Sequence, residues 1–317
     1  MKNPFLKTVF HVIRPALCLF ALLACHSLAA GDFIVLETEP EGGAKAVEGD
    51  PAAAGKTFSP MSTFKIIIAW AALETGTATP ATTHRCTDRF IPGAPRDLTM
   101  ANALFFSSNQ YFVWLTKKMG ANTVASFLNR SELLGHDTPE NWLAEGLDSV
   151  VHAGNLQVSP NQQHAFILRV MKGQLASSQK IQSQLLECMV WPSGEKDILL
   201  YGKTGSSTGL AWFNGFGGKK DQFKAVTVLL KGKDANRDRA IRHFYARFGL
   251  KPPNLSPEAL AKQRSLINYF ERSALHPCTC EAHRRPCFFL NSSAFSSHDL
   301  KNPIHSSRVR GGWERST

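Results

Sequence analysis

Ser62 and Lys65 stand three residues apart, directly before the apolar run Ile66-Ile67-Ile68-Ala69-Trp70-Ala71-Ala72-Leu73. At helical spacing both side chains leave the same face. A serine hydroxyl is a weak nucleophile near neutral pH and needs an adjacent base. A lysine can be that base only when burial or neighbouring charge lowers its pKa, and the apolar run offers such burial. A helix start also presents free backbone N–H groups that can stabilise a developing oxyanion. These residue types at this spacing point to acyl transfer through an activated serine.

Two further elements follow in chain order: Ser107-Ser108-Asn109 and Lys203-Thr204-Gly205. A lone Ser-x-x-Lys arises by chance about once in a chain of this length, and a lone Lys-Thr-Gly is a turn as often as a site. All three together, each in a fitting local context, are a strong signal. Ser62 would open a hydrophobic helix predicted over residues 61–76 and closed by Gly76. Ser107 would sit where a helical stretch over residues 98–120 breaks, with its hydroxyl facing a cleft. The Lys-Thr-Gly would follow a short strand at residues 198–201, and Gly205 would let a substrate backbone approach that strand edge.

The remaining elements must hold these three together. Gly31-Asp32-Phe33-Ile34-Val35-Leu36 reads as a first strand, and residues 39–57 as a hairpin tip or loop. Residues 77–95 read as a loop excursion, and residues 121–135 and 159–190 as amphipathic helical stretches. Residues 198–201, 210–216 and 223–230 read as short strands, and residues 237–248 as a closing helix. The fold class is therefore α+β: an antiparallel sheet flanked by terminal helices, with the first strand and the last helix packed on the late sheet, plus a mostly helical lobe.

Composition narrows the partners. The chain has 317 residues, 43% of them hydrophobic, enough for a sizeable core. Residues 1–30 resemble a cleaved export signal, with Lys2, Lys7 and Arg14 preceding an apolar stretch shorter than the ~20 residues a span needs. Leu22-Leu23-Ala24-Cys25 also resembles a lipobox, so a membrane enters only through a lipidated Cys25 or an uncleaved signal. The formal charge of +11 is concentrated at the ends; residues 31–250 hold 23 basic and 20 acidic residues, a net of +3. A nearly neutral body carries no electrostatic footprint for nucleic acid. Of seven cysteines only Cys86 and Cys188 fall in the body, and an oxidising compartment would let them pair. Residues 251–317 read as a poorly ordered tail whose Cys278, Cys280, Cys287, His276 and His283 match no standard zinc spacing. His84, His136, His152 and His164 show no pairing pattern and read as ordinary loop or surface histidines.

From residue 31 to about residue 250 the chain resembles the penicillin-recognising serine enzymes, and within them the class D β-lactamases. The stretch from Ser59 to Lys65, Leu73-Glu74-Thr75-Gly76, and Ala211-Trp212-Phe213-Asn214-Gly215-Phe216 carry this likeness. The resemblance implies an exported, periplasmic hydrolase acting on a β-lactam, or a relative acting on a peptidoglycan peptide. It implies that Ser62 is acylated and that the N–H groups of Ser62 and Ala211 form an oxyanion hole. Ser107 would relay a proton to the leaving nitrogen. Lys203 and Thr204 would hold the substrate carboxylate, helped by Arg237 or Arg239, with Trp212 lining the site. No metal or organic cofactor is implied; carbon dioxide would be held as a carbamate on Lys65, as in class D enzymes.

Three positions depart from that class. Asn109 stands where an apolar residue helps keep the carbamate pocket dry, and an amide there works against carbamylation. Leu134-Gly135-His136 replaces a Tyr-Gly-Asn element. Val151 occupies the place of a tryptophan that would bond the carbamate, with Trp142 as the same element in a shifted register. The acylating residues look complete and the deacylating ones altered. Three outcomes therefore compete: a hydrolase, a penicillin-binding protein or sensor that stays acylated, and a non-enzymatic binding module on the same scaffold.

Overall fold

The computed structural model describes residues 32–38, 43–219 and 222–253. The expected export signal, the cysteines and histidines of the tail, and residues 254–317 lie outside them. Eight strands are described: β1 (Phe33–Thr38), β2 (Ala44–Gly49), β3 (Thr83–Cys86), β4 (Arg96–Thr99), β5 (Val190–Trp191), β6 (Leu199–Ser207), β7 (Leu210–Gly218) and β8 (Lys224–Lys231). The helices are α1 (Lys65–Glu74), α2 (Met100–Phe106), α3 (Asn109–Met119), α4 (Ala121–Ser131), α5 (Pro160–Met171), α6 (Gln179–Met189) and α7 (Arg237–Ala246). Three 3-10 turns, Pro51–Gly55, Met61–Phe64 and Leu147–His152, join them.

The late strands form an antiparallel meander because β7 and β8 are continuous runs of apolar and small residues, buried on both faces. The first strand completes the sheet: Phe33 pairs with Leu230 and Glu37 with Val226. The order is β2-β1-β8-β7-β6-β5. One face receives α7, whose Phe244 stacks on Phe213 of β7 at 3.8 Å between ring centroids. The other receives α5, where Gln163 and His164 meet Asn214 and Thr227 of the sheet. This is the predicted α+β plan.

Within the helical lobe, α1 is apolar on all sides, and every one of its residues except Glu74 is buried. Such a helix is a core element, and it carries Lys65 into the interior at its first position. Short caps set the boundaries around it. Thr99 accepts from the Asn102 N–H to start α2, and Ser108 accepts from the Tyr111 N–H to start α3.

Several expectations shift. Residues 39–57 hold β2 and a 3-10 turn rather than a bare loop. Residues 77–95 hold β3, which pairs with β4 as a separate two-stranded sheet. Lys203-Thr204-Gly205 does not follow a strand but lies inside the nine-residue β6. Cys86 and Cys188 are both buried and are not joined in a disulfide. His164 is a core residue, 1% exposed. Among the described residues no helix is long and apolar enough to cross a membrane, and no group of His, Cys, Asp and Glu is arranged to hold a metal ion.

Candidate active site

The 3-10 turn that carries Ser62 is held from three sides. The Trp212 indole donates to the Ser59 carbonyl at 3.0 Å, and the Ser59 hydroxyl donates to the His152 carbonyl at 3.1 Å. Thr63 Oγ1 donates to the Pro60 carbonyl at 2.7 Å and accepts from Gln163 Nε2 at 2.9 Å. Met61, just before the serine, has φ of 50°. A left-handed backbone at a residue with a side chain costs of order 1–3 kcal/mol and persists only where its surroundings impose it.

Lys65 is fully buried, with its Nζ 3.0 Å from Ser62 Oγ, 2.9 Å from the Ser107 carbonyl, 3.3 Å from Ser107 Oγ and 2.7 Å from Asn109 Oδ1. Burial pushes its pKa down to about 7; Asp88 opposes that shift and the Arg237 charge adds to it. The neutral amine has two N–H bonds and one lone pair. Two of its neighbours, the Ser107 carbonyl and Asn109 Oδ1, can only accept. They absorb both N–H groups, and the lone pair is left for a hydroxyl proton. The nearest hydroxyl is that of Ser62.

Ser107 closes α2 in the left-handed conformation, φ 64°. This kink between α2 and α3 turns its hydroxyl between two lysines: Lys203 Nζ donates to it at 2.9 Å, opposite Lys65. Asp88 fixes the kink from below. Its carboxylate accepts the Ser108 hydroxyl and the N–H groups of Asn109 and Gln110. Nothing in the sequence singles out Asp88. It sits in an irregular stretch, and its role depends on a contact 20 residues away.

Lys203 is also fully buried; burial first, then the charges of Lys65 and Arg237, hold its pKa well below the usual lysine range. Arg237, at the start of α7, donates from Nε to Thr204 Oγ1 at 3.1 Å. Among the described residues, none of the ion pairs within 4 Å involves Lys65, Lys203 or Arg237. Three basic groups thus converge with no carboxylate in ion-pair contact among the described residues, an arrangement suited to an anionic ligand. Arg239 turns away, donating to the Asp234 carbonyl at 3.1 Å.

Three expected residues sit differently. Ala211 lies on β7, between Ser206 of β6 and Leu230 of β8, so its backbone is enclosed by ladders on both sides. The edge of β6 that faces the cleft is marked by the Gly202 carbonyl, which accepts from the Trp191 indole at 3.0 Å. Antiparallel strands alternate, so Thr204 and Ser206 direct their backbone groups to that same edge. The second N–H beside Ser62 is therefore that of Ser206. Trp212 is completely buried on the far side of the Ser62 turn, among Ile34, Leu36, Met61 and Leu229, and braces the turn instead of lining the cleft. Gly205 has no space to lend a substrate: a Cβ there would lie 2.8 Å from the Pro60 carbonyl oxygen and 3.1 Å from Met61 Cβ. Its missing side chain lets β6 run against the serine's own turn.

Carbon dioxide on Lys65 does not fit this geometry. A carbamate nitrogen keeps one N–H, whereas two carbonyl oxygens face Nζ at 2.7 and 2.9 Å. Val151 is buried, and Trp142 packs edge-on against Phe64 at 5.6 Å.

Comparison with known proteins identifies the family and the fold. The model of the penicillin binding protein transpeptidase domain matches residues 33–243. The probable β-lactamase YbxI of Bacillus subtilis (strain 168) is 25% identical over 169 residues, which is 51% of this chain and 61% of that protein. The chain thus spans about 61% of the length of this curated relative. Among solved structures, the class D β-lactamase YbXI from Nostoc superposes with a TM-score of 0.57 at 25% identity, covering 68% of this chain and 90% of its own. A class D β-lactamase from Bacillus subtilis gives a TM-score of 0.60 at 20% identity, covering 69% and 92%; at that identity the likeness speaks for the fold.

Proposed function

This chain belongs to the penicillin binding protein transpeptidase domain family, and from that premise we propose that it is an exported serine β-lactamase of class D type. It opens the β-lactam amide through an acyl-enzyme on Ser62. The observation that carries this reading is the buried Lys65 amine 3.0 Å from Ser62 Oγ, with its pKa pushed down to about 7 by burial.

In this mechanism the Lys65 amine takes the Ser62 proton as Oγ adds to the lactam carbonyl. The N–H groups of Ser62 and Ser206 receive the oxyanion, the term usually worth most in such reactions. Collapse breaks the C–N bond. The Ser107 hydroxyl, bridging Lys65 and Lys203, passes a proton to the leaving nitrogen. Lys203, Thr204 and Arg237 bind the carboxylate, and Asn109 holds Lys65 in register.

A second reading draws on one contact. The Asn109–Lys65 bond at 2.7 Å leaves no carbamate to activate water, which favours a penicillin-binding protein or sensor that remains acylated. A time course with a chromogenic cephalosporin, with and without bicarbonate and followed by intact mass, separates the two. The hydrolase gives sustained turnover that bicarbonate leaves unchanged. A single stoichiometric burst with a stable adduct means the slow-deacylating protein. Ser62→Ala abolishes the adduct in both cases, and labelling that survives this substitution moves the nucleophile elsewhere.

A further inference from the structure

Ser107 and Asn109 meet Lys65 at a joint in the chain, where α2 ends and α3 begins. The residue between them makes its contacts elsewhere. Ser108 is completely buried; its hydroxyl accepts from the Tyr111 N–H at 3.2 Å and donates to the Asp88 carboxylate. The same carboxylate accepts the N–H groups of Asn109 at 3.3 Å and Gln110 at 3.4 Å. Three donors thus converge on one side chain that is only 8% exposed, and an ionised carboxylate, which can only accept, suits all three. The segment that carries Asp88 is clamped to α3 as well. Gln110 Nε2 donates to Thr87 Oγ1 at 2.6 Å, and the Thr87 N–H donates to Gln110 Oε1 at 2.7 Å. The first turn of α3 holds no acidic residue of its own. Asp88 therefore brings, from a distant part of the chain, the negative charge that a helix start favours.

We infer that Asp88 is a positioning residue of acylation: it holds Ser107 and Asn109 against Lys65 and supplies the negative charge that offsets the basic groups of the site. This deepens the reading of Ser62 as the acylated residue and rests on it. Asp88 touches none of the reacting atoms and acts through Ser108 and the backbone of Asn109. Loss of those bonds frees the kink. Ser107 Oγ then leaves its place between Lys65 and Lys203, and Asn109 Oδ1 leaves its 2.7 Å contact with Lys65 Nζ. A displacement of about 1 Å in such a site costs up to about 10²-fold in rate. Charge is the second part of the role. After burial, the Asp88 charge raises the basicity of Lys65 and the Arg237 charge on α7 lowers it. Lys203 of β6 and His152 of the Leu147–His152 turn feel the Lys65 charge in return. Cys86, just before Asp88 in the chain, has its thiol pKa pushed up, chiefly by burial, and is neutral near pH 7; Arg89 is exposed. Once Asp88 is neutral, Lys65 holds its proton less tightly.

The test measures second-order acylation of the full-length protein by a fluorescent penicillin across the range of about pH 5 to 9, in the wild type, Asp88→Asn and Asp88→Glu. Asp88→Asn removes the charge and keeps the shape. Its plateau rate falls by about tenfold to a hundredfold, and the midpoint of its profile moves to lower pH by about half a unit or more. Asp88→Glu keeps the charge on a longer arm, so its plateau falls likewise while its midpoint stays with the wild type. The midpoint is read from the molecules that react, so a partly unfolded variant loses amplitude without shifting it. Midpoints that match the wild type in both variants reduce Asp88 to a helix cap and overturn the proposal, as do wild-type rates in both. Equal midpoint shifts in both variants overturn the charge role. A wild-type protein that forms no adduct overturns the Ser62 reading itself, an outcome distinct from any difference between the variants.

Discussion

Burial sets the protonation state of Lys65, and two carbonyl oxygens set the direction of its lone pair. The consequence is a pH profile. The amine is a base only when unprotonated, so acylation slows as pH falls through its pKa near 7. Second-order acylation by a fluorescent penicillin should rise about tenfold per pH unit below 7 and level off above it. A flat profile between pH 5 and 9 would remove Lys65 from the role. Much of this arrangement was legible at the residue scale: Ser62, Lys65, Ser107, Asn109, Lys203, Thr204 and Arg237 do converge. Asp88 and Ser206 were not. A carboxylate in an irregular stretch and a backbone N–H chosen by strand parity carry no local pattern. Ala211 was mistaken for a donor because sequence does not say which neighbour each N–H of a strand faces.

Among the elements, the decisive contact is β6 against the Met61–Phe64 turn. It joins the turn of Ser62 to the strand of Lys203 and Thr204, and Gly205 is a point of close approach. A methyl group there meets backbone, which cannot rotate aside. Gly205→Ala is expected to cost about 1–3 kcal/mol of stability, read as a lower urea midpoint, and to reduce acylation at least tenfold by displacing Ser62. A variant as active and stable as the parent would mean that the turn moves freely. Helix existence was readable from apolar period and from Gly76 as a stop, while the caps Thr99, Ser108 and Ser159 emerged with the structure. The short strands β2, β3 and β4 were hidden, because their exposure patterns hold too few buried positions to impose an alternation. The reach of β6 was missed for a different reason: Gly, Lys, Thr and Ser are weak strand formers, and pairing with β7 along nine residues overrides them.

For the molecule as a whole, His164 couples the fold to acid. It sits between Thr38 Oγ1 at 3.2 Å and Thr227 Oγ1 at 3.3 Å, joining α5 to both β1 and β8. Burial presses its pKa down to about 4, against a weaker opposing pull from Glu37. The unfolded chain binds its proton near pH 6.5 and the folded one near 4, so stability falls as pH drops through that window, by up to about 3 kcal/mol. Urea midpoints at pH 7.5 and 4.5 should differ more for the wild type than for His164→Asn; equal differences would refute the assignment. The α+β plan and the order of lobe and meander were readable from the sequence of apolar periods. The union of the first strand with the last was expected only as packing, since no local signal names a strand's partner.

That union also has a timing. Thr38 and Ala225 hydrogen-bond to each other although 187 residues separate them in the chain. At translation rates of 5–20 residues per second, β1 waits roughly 10–40 s for β8 to be made. Through that interval its backbone is an open edge that any other strand can claim. The nascent protein is thus most vulnerable to a wrong partner, and most available to a chaperone, just before its sheet can close.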